Sequence, residues 1–200
     1  MRLDKYICYI GRPSYQKNPI FLVEVVKEVH TLHPEVGFCL LGVGYYSPDL
    51  DRMKVKIAEY GLDKVIELSP WLSHKETLEC VKNSMFYLTV ARYEGLPLAV
   101  IEAMSLGKAI VASDVVGNRD CVEDGYNGRL LPFKKESFLK AICELVEDRQ
   151  KRDWYGENSR TLFEKKFLIT NRIKELEAIL QLLGTTKCTV LSYKIYCDYH

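Results

Sequence analysis

Residues 91–114 read ARYEGLPLAVIEAMSLGKAIVASD, and the reading of the fold starts from them. Just before lies Met85-Phe86-Tyr87-Leu88-Thr89-Val90, a short apolar run rich in β-formers that predicts a buried strand. The chain breaks at Ala91–Leu96 and resumes at Pro97, a residue that a helix accepts in its first turn. Leu98, Ile101, Ala103, Met104 and Leu106 make the body of that helix mostly apolar, and Gly107 suits its C-cap. Ala109–Ala112 is the next strand. Strand, loop, helix and strand make one βαβ crossover.

Two carboxylates stand in this unit, Glu94 in the loop and Glu102 within the helix. Between them Gly95 and Leu96 bring backbone N–H groups to the helix N-terminus, where a phosphate is readily held. Open α/β sheets bind ligands beyond the carboxyl ends of their strands, so this loop is where a ligand belongs. Phosphates at a helix end, with a carboxylate on either side to grip hydroxyls, describe a nucleotide-sugar. The alternative is that both glutamates are ordinary solvated residues at a helix start.

Working outward, Tyr6–Gly11 is a first strand, and its exit loop carries Gly11, Arg12 and Lys17. Cations there suit phosphate oxygens. The spacing is not that of a Walker A loop. Asn18-Pro19 predicts a helix start, Asn as cap and Pro at the first position, running to about Leu32. Val36–Leu41 is the second strand, closed by Gly42-Val43-Gly44, which lacks the full dinucleotide fingerprint. Pro48–Tyr60 predicts an amphipathic helix with Leu50, Met53, Ile57 and Val55 inward. Lys64–Leu68 is a third strand with the exit loop Ser69-Pro70-Trp71-Leu72, where Trp71 either lines a cleft or covers the sheet edge. Ser73-His74-Lys75-Glu76 is a capping box, and a helix to about Lys82 follows. His74 reads as a first-turn surface residue rather than a base, and His30 and His33 as surface histidines with nothing to complete a metal site.

Beyond the central unit, residues 113–120 read as a loop running into a short apolar turn, Cys121-Val122. Asp124-Gly125 and Asn127-Gly128 are turn chemistry, and Arg129–Pro132 is a last short strand limited by its proline. Helical periods follow at about Lys135–Asp148, after Gln150, and at Thr170–Leu183, where Ile173, Leu176, Ile179, Leu180 and Leu183 share one side and Gly184 stops the helix. Cys188–His200 is apolar and tyrosine-rich but attached to nothing the pattern needs. Six strands with helices between them give one Rossmann-like α/β/α domain over residues 1–184, with a parallel sheet and C-terminal helices, and an uncertain tail over 185–200.

Composition agrees with a globular chain. Of 200 residues 48% are apolar and 28% charged, and the formal net charge of +1 gives no long-range field to attract nucleic acid. Seven cysteines without a C-x-x-C pair argue against a zinc site or disulfide scaffold; Cys8, Cys39 and Cys143 sit in apolar runs and read as reduced core residues of a cytoplasmic chain. No signal peptide precedes the first strand, no stretch approaches a membrane span, and no basic amphipathic helix suggests a membrane surface.

The chain resembles the C-terminal, donor-binding half of the retaining GT-B-type glycosyltransferases with two glutamates separated by seven residues, the large bacterial group that builds capsule and O-antigen. The likeness covers roughly Ile7 to Phe167. Its most specific block is E-G-L-P-L-A-V-I-E, Glu94 to Glu102, continued by Gly107-Lys108, Val111–Asp114, Gly117–Asp120 and Glu123–Gly128. Gly11-Arg12 with Lys17-Asn18-Pro19, and Gly42 with Gly44, fall in the family's order. Ala91 stands where the family often has serine, and Ser69-Pro70 where it often has glycine.

The resemblance implies roles. Arg12 and Lys17 would hold the donor diphosphate and stabilise the departing nucleoside diphosphate. Glu94 would grip hydroxyls of the donor sugar, the amides of Gly95 and Leu96, ahead of Pro97, would meet the phosphate, and Glu102 would bind the ribose. Gly11, Gly42 and Gly44 would line the donor site, and the base would pack near Ser69, Pro70 and Trp71. It implies an NDP-sugar substrate, UDP-sugar ahead of GDP-sugar, transferred with retention and with no cofactor and no metal expected. It also implies a missing N-terminal acceptor domain, in cis or as a separate chain, with membrane association only through the full enzyme. Two other readings stand beside it: a non-catalytic nucleotide-sugar-binding module whose partner supplies catalysis, and an epimerase, for which no free acid/base pair is seen.

Overall fold

A computed structural model of the chain describes residues 5–44 and 46–182. The first half alternates β1 (Tyr6–Ile10), α1 (Pro19–Leu32), β2 (Gly37–Leu41), α2 (Leu50–Glu59), β3 (Ile66–Leu68) and α3 (His74–Asn83). The second continues with β4 (Tyr87–Thr89), α4 (Leu98–Ser105), β5 (Ile110–Ser113), α5 (Val116–Cys121), β6 (Gly128–Leu131), α6 (Lys135–Glu147), α7 (Arg149–Lys166) and α8 (Ile169–Leu182). The six strands are parallel in the order β3-β2-β1-β4-β5-β6. β1 pairs with β2 from Tyr6↔Gly37 to Ile10↔Leu41 and touches β4 at Cys8↔Tyr87. The chain runs outward from β1 through β2 to β3, returns across the sheet through α3, and runs outward again from β4. The strand order therefore reverses between β1 and β4, and a crevice opens there at the strands' carboxyl ends.

Every strand of an all-parallel sheet is covered on both faces, so its residues are apolar in runs rather than in alternation. β2 and β5 are buried throughout. Helices pack in two groups, α1 with α2 and α6, and α4 with α3 and α5, as two layers require. α1 is apolar around much of its circumference and buries Leu22, Val23, Val25, Val26 and Val29 completely; Phe21 meets Phe138 of α6 edge-on at 5.4 Å. At roughly 25 cal/mol per Å2, burial of these side chains is the main source of stability.

Several local expectations shift. Val55 is 67% exposed, because only Met53 and Ile57 of α2 reach the core. Leu98 is 64% exposed, and Pro97 is the N-cap of α4 rather than its first helical residue. Gly107 does close α4, at a φ of +66° that favours glycine. Asn18 precedes α1 but makes no side-chain cap; its backbone is left-handed, φ 55°, and its side chain is taken by another partner. Residues 116–121 are the helix α5, not a loop, since Gly117 is hydrogen-bonded into the neighbouring β4 loop. Cys8, Cys39 and Cys121 are buried, whereas Cys143 is only half-buried on α6.

The packed body extends through Glu164, and a second segment begins at Lys165. In that segment Leu176 and Ile179 of α8 are exposed and Ile173 and Leu180 half-buried. Leu183, Gly184 and the stretch Cys188–His200 lie outside the described residues. None of the described helices is long and apolar enough to cross a membrane.

Candidate functional site

The loops leaving β1 and β4 meet at the reversal point, where a cation of the first pairs with a carboxylate of the second. Lys17 Nζ lies 2.6 Å from Glu94 Oε1, with the Glu94 side chain 8% exposed and that of Lys17 23%. A pair this close and this covered is charge-assisted and screened little by salt. Tyr9, the penultimate residue of β1, sits beneath it and donates its hydroxyl to the Lys17 carbonyl at 2.8 Å. Burial, with Glu94 nearby, pushes the Tyr9 phenol well above its ordinary range, so it stays a neutral donor. Gly11 lets the Lys17 stem pass close: an added Cβ would stand 3.1 Å from Lys17 Cδ and from the Tyr9 hydroxyl.

The β4–α4 loop is fastened on two sides. Toward α1, Arg92 donates its amide to Gln16 O at 2.8 Å and its guanidinium to Asn18 Oδ1 at 2.8 Å, and the guanidinium lies over Tyr15 at 4.6 Å. This is the partner that draws Asn18 away from capping α1. Gln16 Nε2 donates to Tyr93 O. On the other side, the Gly117 amide of α5 donates to Glu94 O at 3.1 Å, and Ser113 Oγ at the end of β5 to Ala91 O at 2.6 Å. Gly117 allows that approach, because an added Cβ would stand 2.5 Å from Gly95 O and 2.6 Å from Glu94 O. A pocket of about 240 Å3 opens here, lined by Lys17, Thr89, Glu94, Leu96, Pro97 and their neighbours. Gly95 faces open space and Leu96 is 60% exposed, so the amides before α4 are within reach of solvent. Larger depressions lie along the end of α6 and beside β3, away from the strand ends where β1 and β4 converge.

The remaining expected residues fall on the β2–β3 side. Arg12 is exposed and stands 5.8 Å from the centre of the Tyr46 ring, not beside Glu94. Gly42 has φ +86° and packs on the Gly11 backbone. The Ser69 backbone joins two strand ends, donating to Leu40 O and accepting from Val43 N. Trp71 follows the exposed Pro70, and its indole lies against Gly44, leaving no room for a Cβ there. Trp71 is nonetheless 64% exposed, so it covers the β2 exit loop with one side and leaves the other open to solvent.

Glu102 faces the start of α3, where His74 Nε2 stands 3.0 Å from its Oε1. His74 therefore has a specific partner, which sequence reading missed because 28 positions separate the two. The capping box at Ser73–Glu76 forms as expected, with both reciprocal hydrogen bonds. Sequence reading also missed Arg92, Ser113 and Gly117 as supports of the loop, although Ser113 and Gly117 lie in the blocks that carried the resemblance. Among the described residues no group of three or more His, Cys, Asp or Glu side chains comes close enough to hold a metal ion.

The family described as glycosyl transferases group 1 matches residues 3–162. Among curated proteins, the chain is 25% identical over 179 residues to an alpha-D-kanosaminyltransferase of Streptomyces kanamyceticus, covering 89% of this chain and 46% of that protein. It is 26% identical over 171 residues to the UDP-Gal:alpha-D-GlcNAc-diphosphoundecaprenol alpha-1,3-galactosyltransferase of Escherichia coli, covering 84% and 43%. Among solved structures, the Anabaena protein HepE in complex with UDP superimposes with a TM-score of 0.79 at 20% identity, over 89% of this chain and 49% of that one. The chain thus spans just under half the length of these relatives.

Proposed function

The chain belongs to the group 1 glycosyltransferases, and from that premise we propose that it is the donor-binding half of a retaining enzyme. The enzyme moves a hexosyl group from a nucleotide-sugar, a UDP-sugar first, to a saccharide or lipid-linked acceptor. The observation that carries this reading is the Lys17–Glu94 pair at 2.6 Å, set in a pocket at the sheet's reversal point beside the start of α4. Such a pair offers a cation for a phosphate and a carboxylate for sugar hydroxyls side by side, the order in which a sugar phosphate presents them.

The chemistry follows from where charge develops. Breaking the bond between sugar and diphosphate builds positive charge on the sugar ring and negative charge on the leaving phosphate. Lys17, Arg12 and the N-terminus of α4 meet the negative charge as it grows. Arg12 joins them by leaving the exposed ring of Tyr46, a contact worth only about 1 kcal/mol at an exposed site. Glu94 holds the sugar's hydroxyls, Glu102 the ribose, and Ser69 to Trp71 flank the base. The leaving phosphate itself takes the acceptor's proton on the same face, so this domain supplies no base. UDP in the HepE complex and UDP-Gal in the name of the E. coli relative support a uridine donor. The acceptor domain is supplied by a further segment of the same polypeptide or by a separate chain, and any membrane association comes with it.

Calorimetric titration with UDP, GDP and ADP tests the reading. UDP is expected to bind in preference to the others, and Arg12→Ala and Glu102→Ala each to weaken it. No binding at millimolar UDP, or binding that both substitutions leave unchanged, overturns it.

A further inference from the structure

We propose that His74 is a positioning residue that sets the Glu102 carboxylate for the ribose diol of the nucleotide, an inference that rests on the donor-site reading above. Glu102 lies on the surface of α4 with its side chain one-third exposed. A glutamate so placed is free to sample many rotamers, and ordering it on binding weakens affinity. The contact from His74 Nε2 to Glu102 Oε1, at 3.0 Å, holds the carboxylate beforehand. It engages one oxygen only. A carboxylate offers about four lone-pair sites, so Oε2 and the second site on Oε1 remain for two hydroxyl donors, the number a ribose diol presents.

His74 is itself fixed. It is the first residue of α3, directly after Ser73 of the capping box. Glu76 Oε2 accepts from Ser73 N at 2.9 Å and Ser73 Oγ at 2.6 Å, and these bonds hold the Glu76 carboxyl below its usual range as a standing acceptor. Upstream, the Ser69 backbone ties the loop to Leu40 and Val43. The loop that flanks the base thus runs through a capped helix start to the histidine that holds the ribose carboxylate, linking two parts of one nucleotide site. The histidine is two-thirds exposed. Its contact with Glu102 adds little to folding stability, so a role in folding does not account for it.

The test is UDP binding by the full 200-residue chain, compared with binding of 2′,3′-dideoxy-UDP, which lacks both ribose hydroxyls. His74→Ala is expected to weaken UDP by about threefold to tenfold, the range of a partly exposed charge-assisted contact, and to change the dideoxy compound by less than about twofold. His74→Gln, which keeps an N–H donor, is expected to restore most of the loss. His74→Glu suits a helix N-terminus but sets a like charge on Glu102, and is expected to weaken UDP more than His74→Ala does. In a Glu102→Ala background His74→Ala is expected to add nothing. The proposal is overturned if His74→Ala and His74→Glu bind UDP as the parent chain does, or if they weaken UDP and dideoxy-UDP equally. Failure of the parent chain to bind UDP, or indifference of UDP to Glu102→Ala, overturns the donor-site reading and this proposal with it.

Discussion

Glu94 and Glu102 carry the same side chain, stand in one βαβ unit and occupy opposite environments. Glu94 is nearly buried, paired with Lys17, and set in a loop hydrogen-bonded to both the β1 loop and α5. Glu102 is on a helix surface, and the one contact described for its carboxylate is with a mostly exposed histidine. The cost of desolvating the first carboxylate is offset only while its partner remains, so the same groups serve folding and site geometry. The second, part-exposed and facing a mostly exposed histidine, should contribute little to folding, and under the proposed ribose contact it should govern binding instead. The two glutamates should therefore separate cleanly when stability and UDP affinity are measured on the same variants.

The sharpest break is Gly117→Ala. Its Cβ meets the carbonyls of Gly95 and Glu94 at about van der Waals overlap, 2.5 and 2.6 Å, so the β4 loop must move. A loss of about 3 kcal/mol in urea unfolding is expected, with UDP binding abolished. Lys17→Ala leaves Glu94 covered and unpaired. It should cost about 2 kcal/mol, less than a fully buried pair because Lys17 is partly exposed. Tyr9→Phe removes the hydroxyl that braces the Lys17 carbonyl and is expected to cost about 1 kcal/mol. Glu102→Ala, in contrast, should change stability by less than about 0.5 kcal/mol while weakening UDP. A loss of stability as large as that of Lys17→Ala would erase the distinction between the two carboxylates.

The smallest effect concerns pH at the start of α3. The Glu76 carboxyl is held below its usual range by Ser73, so it binds its proton less readily folded than unfolded. Its contribution is complete above the ordinary glutamate value of about 4.3 and fades as pH falls through the folded value. Amide exchange in the first turn of α3, corrected for intrinsic rates, should accelerate as pH falls below the ordinary glutamate value. Ser73→Ala should flatten that dependence.

Much of this contrast is invisible in a linear reading, for physical reasons. The strands from Tyr6 to Leu131 were legible because a parallel sheet buried on both faces writes itself as continuous apolar runs. The capping box at Ser73 and the closing glycine at 107 were legible because both are local. Asn18 looks like a cap in sequence, since the competing donor, Arg92, is 74 positions away. α5 does not show in the sequence because Val115, Val116 and Gly117 are weak helix formers, and the hydrogen bond from Gly117 to Glu94 O cannot be seen in spacing. The candidate cations were legible as residues of a strand exit loop, but not their division: Lys17 goes to Glu94, Arg12 to Tyr46. His74 looked like any first-turn surface residue, which by exposure it is; only its distance to Glu102 distinguishes it.

Everything proposed for this chain depends on a nucleotide-sugar occupying the crevice between β1 and β4. A crystal structure of the chain soaked with UDP tests it most directly. The diphosphate is expected beside Lys17 and the Gly95–Leu96 amides, with both ribose hydroxyls on Glu102 and His74 still at its Oε1. UDP lodged elsewhere on the surface, or a ribose turned away from Glu102, would contradict it.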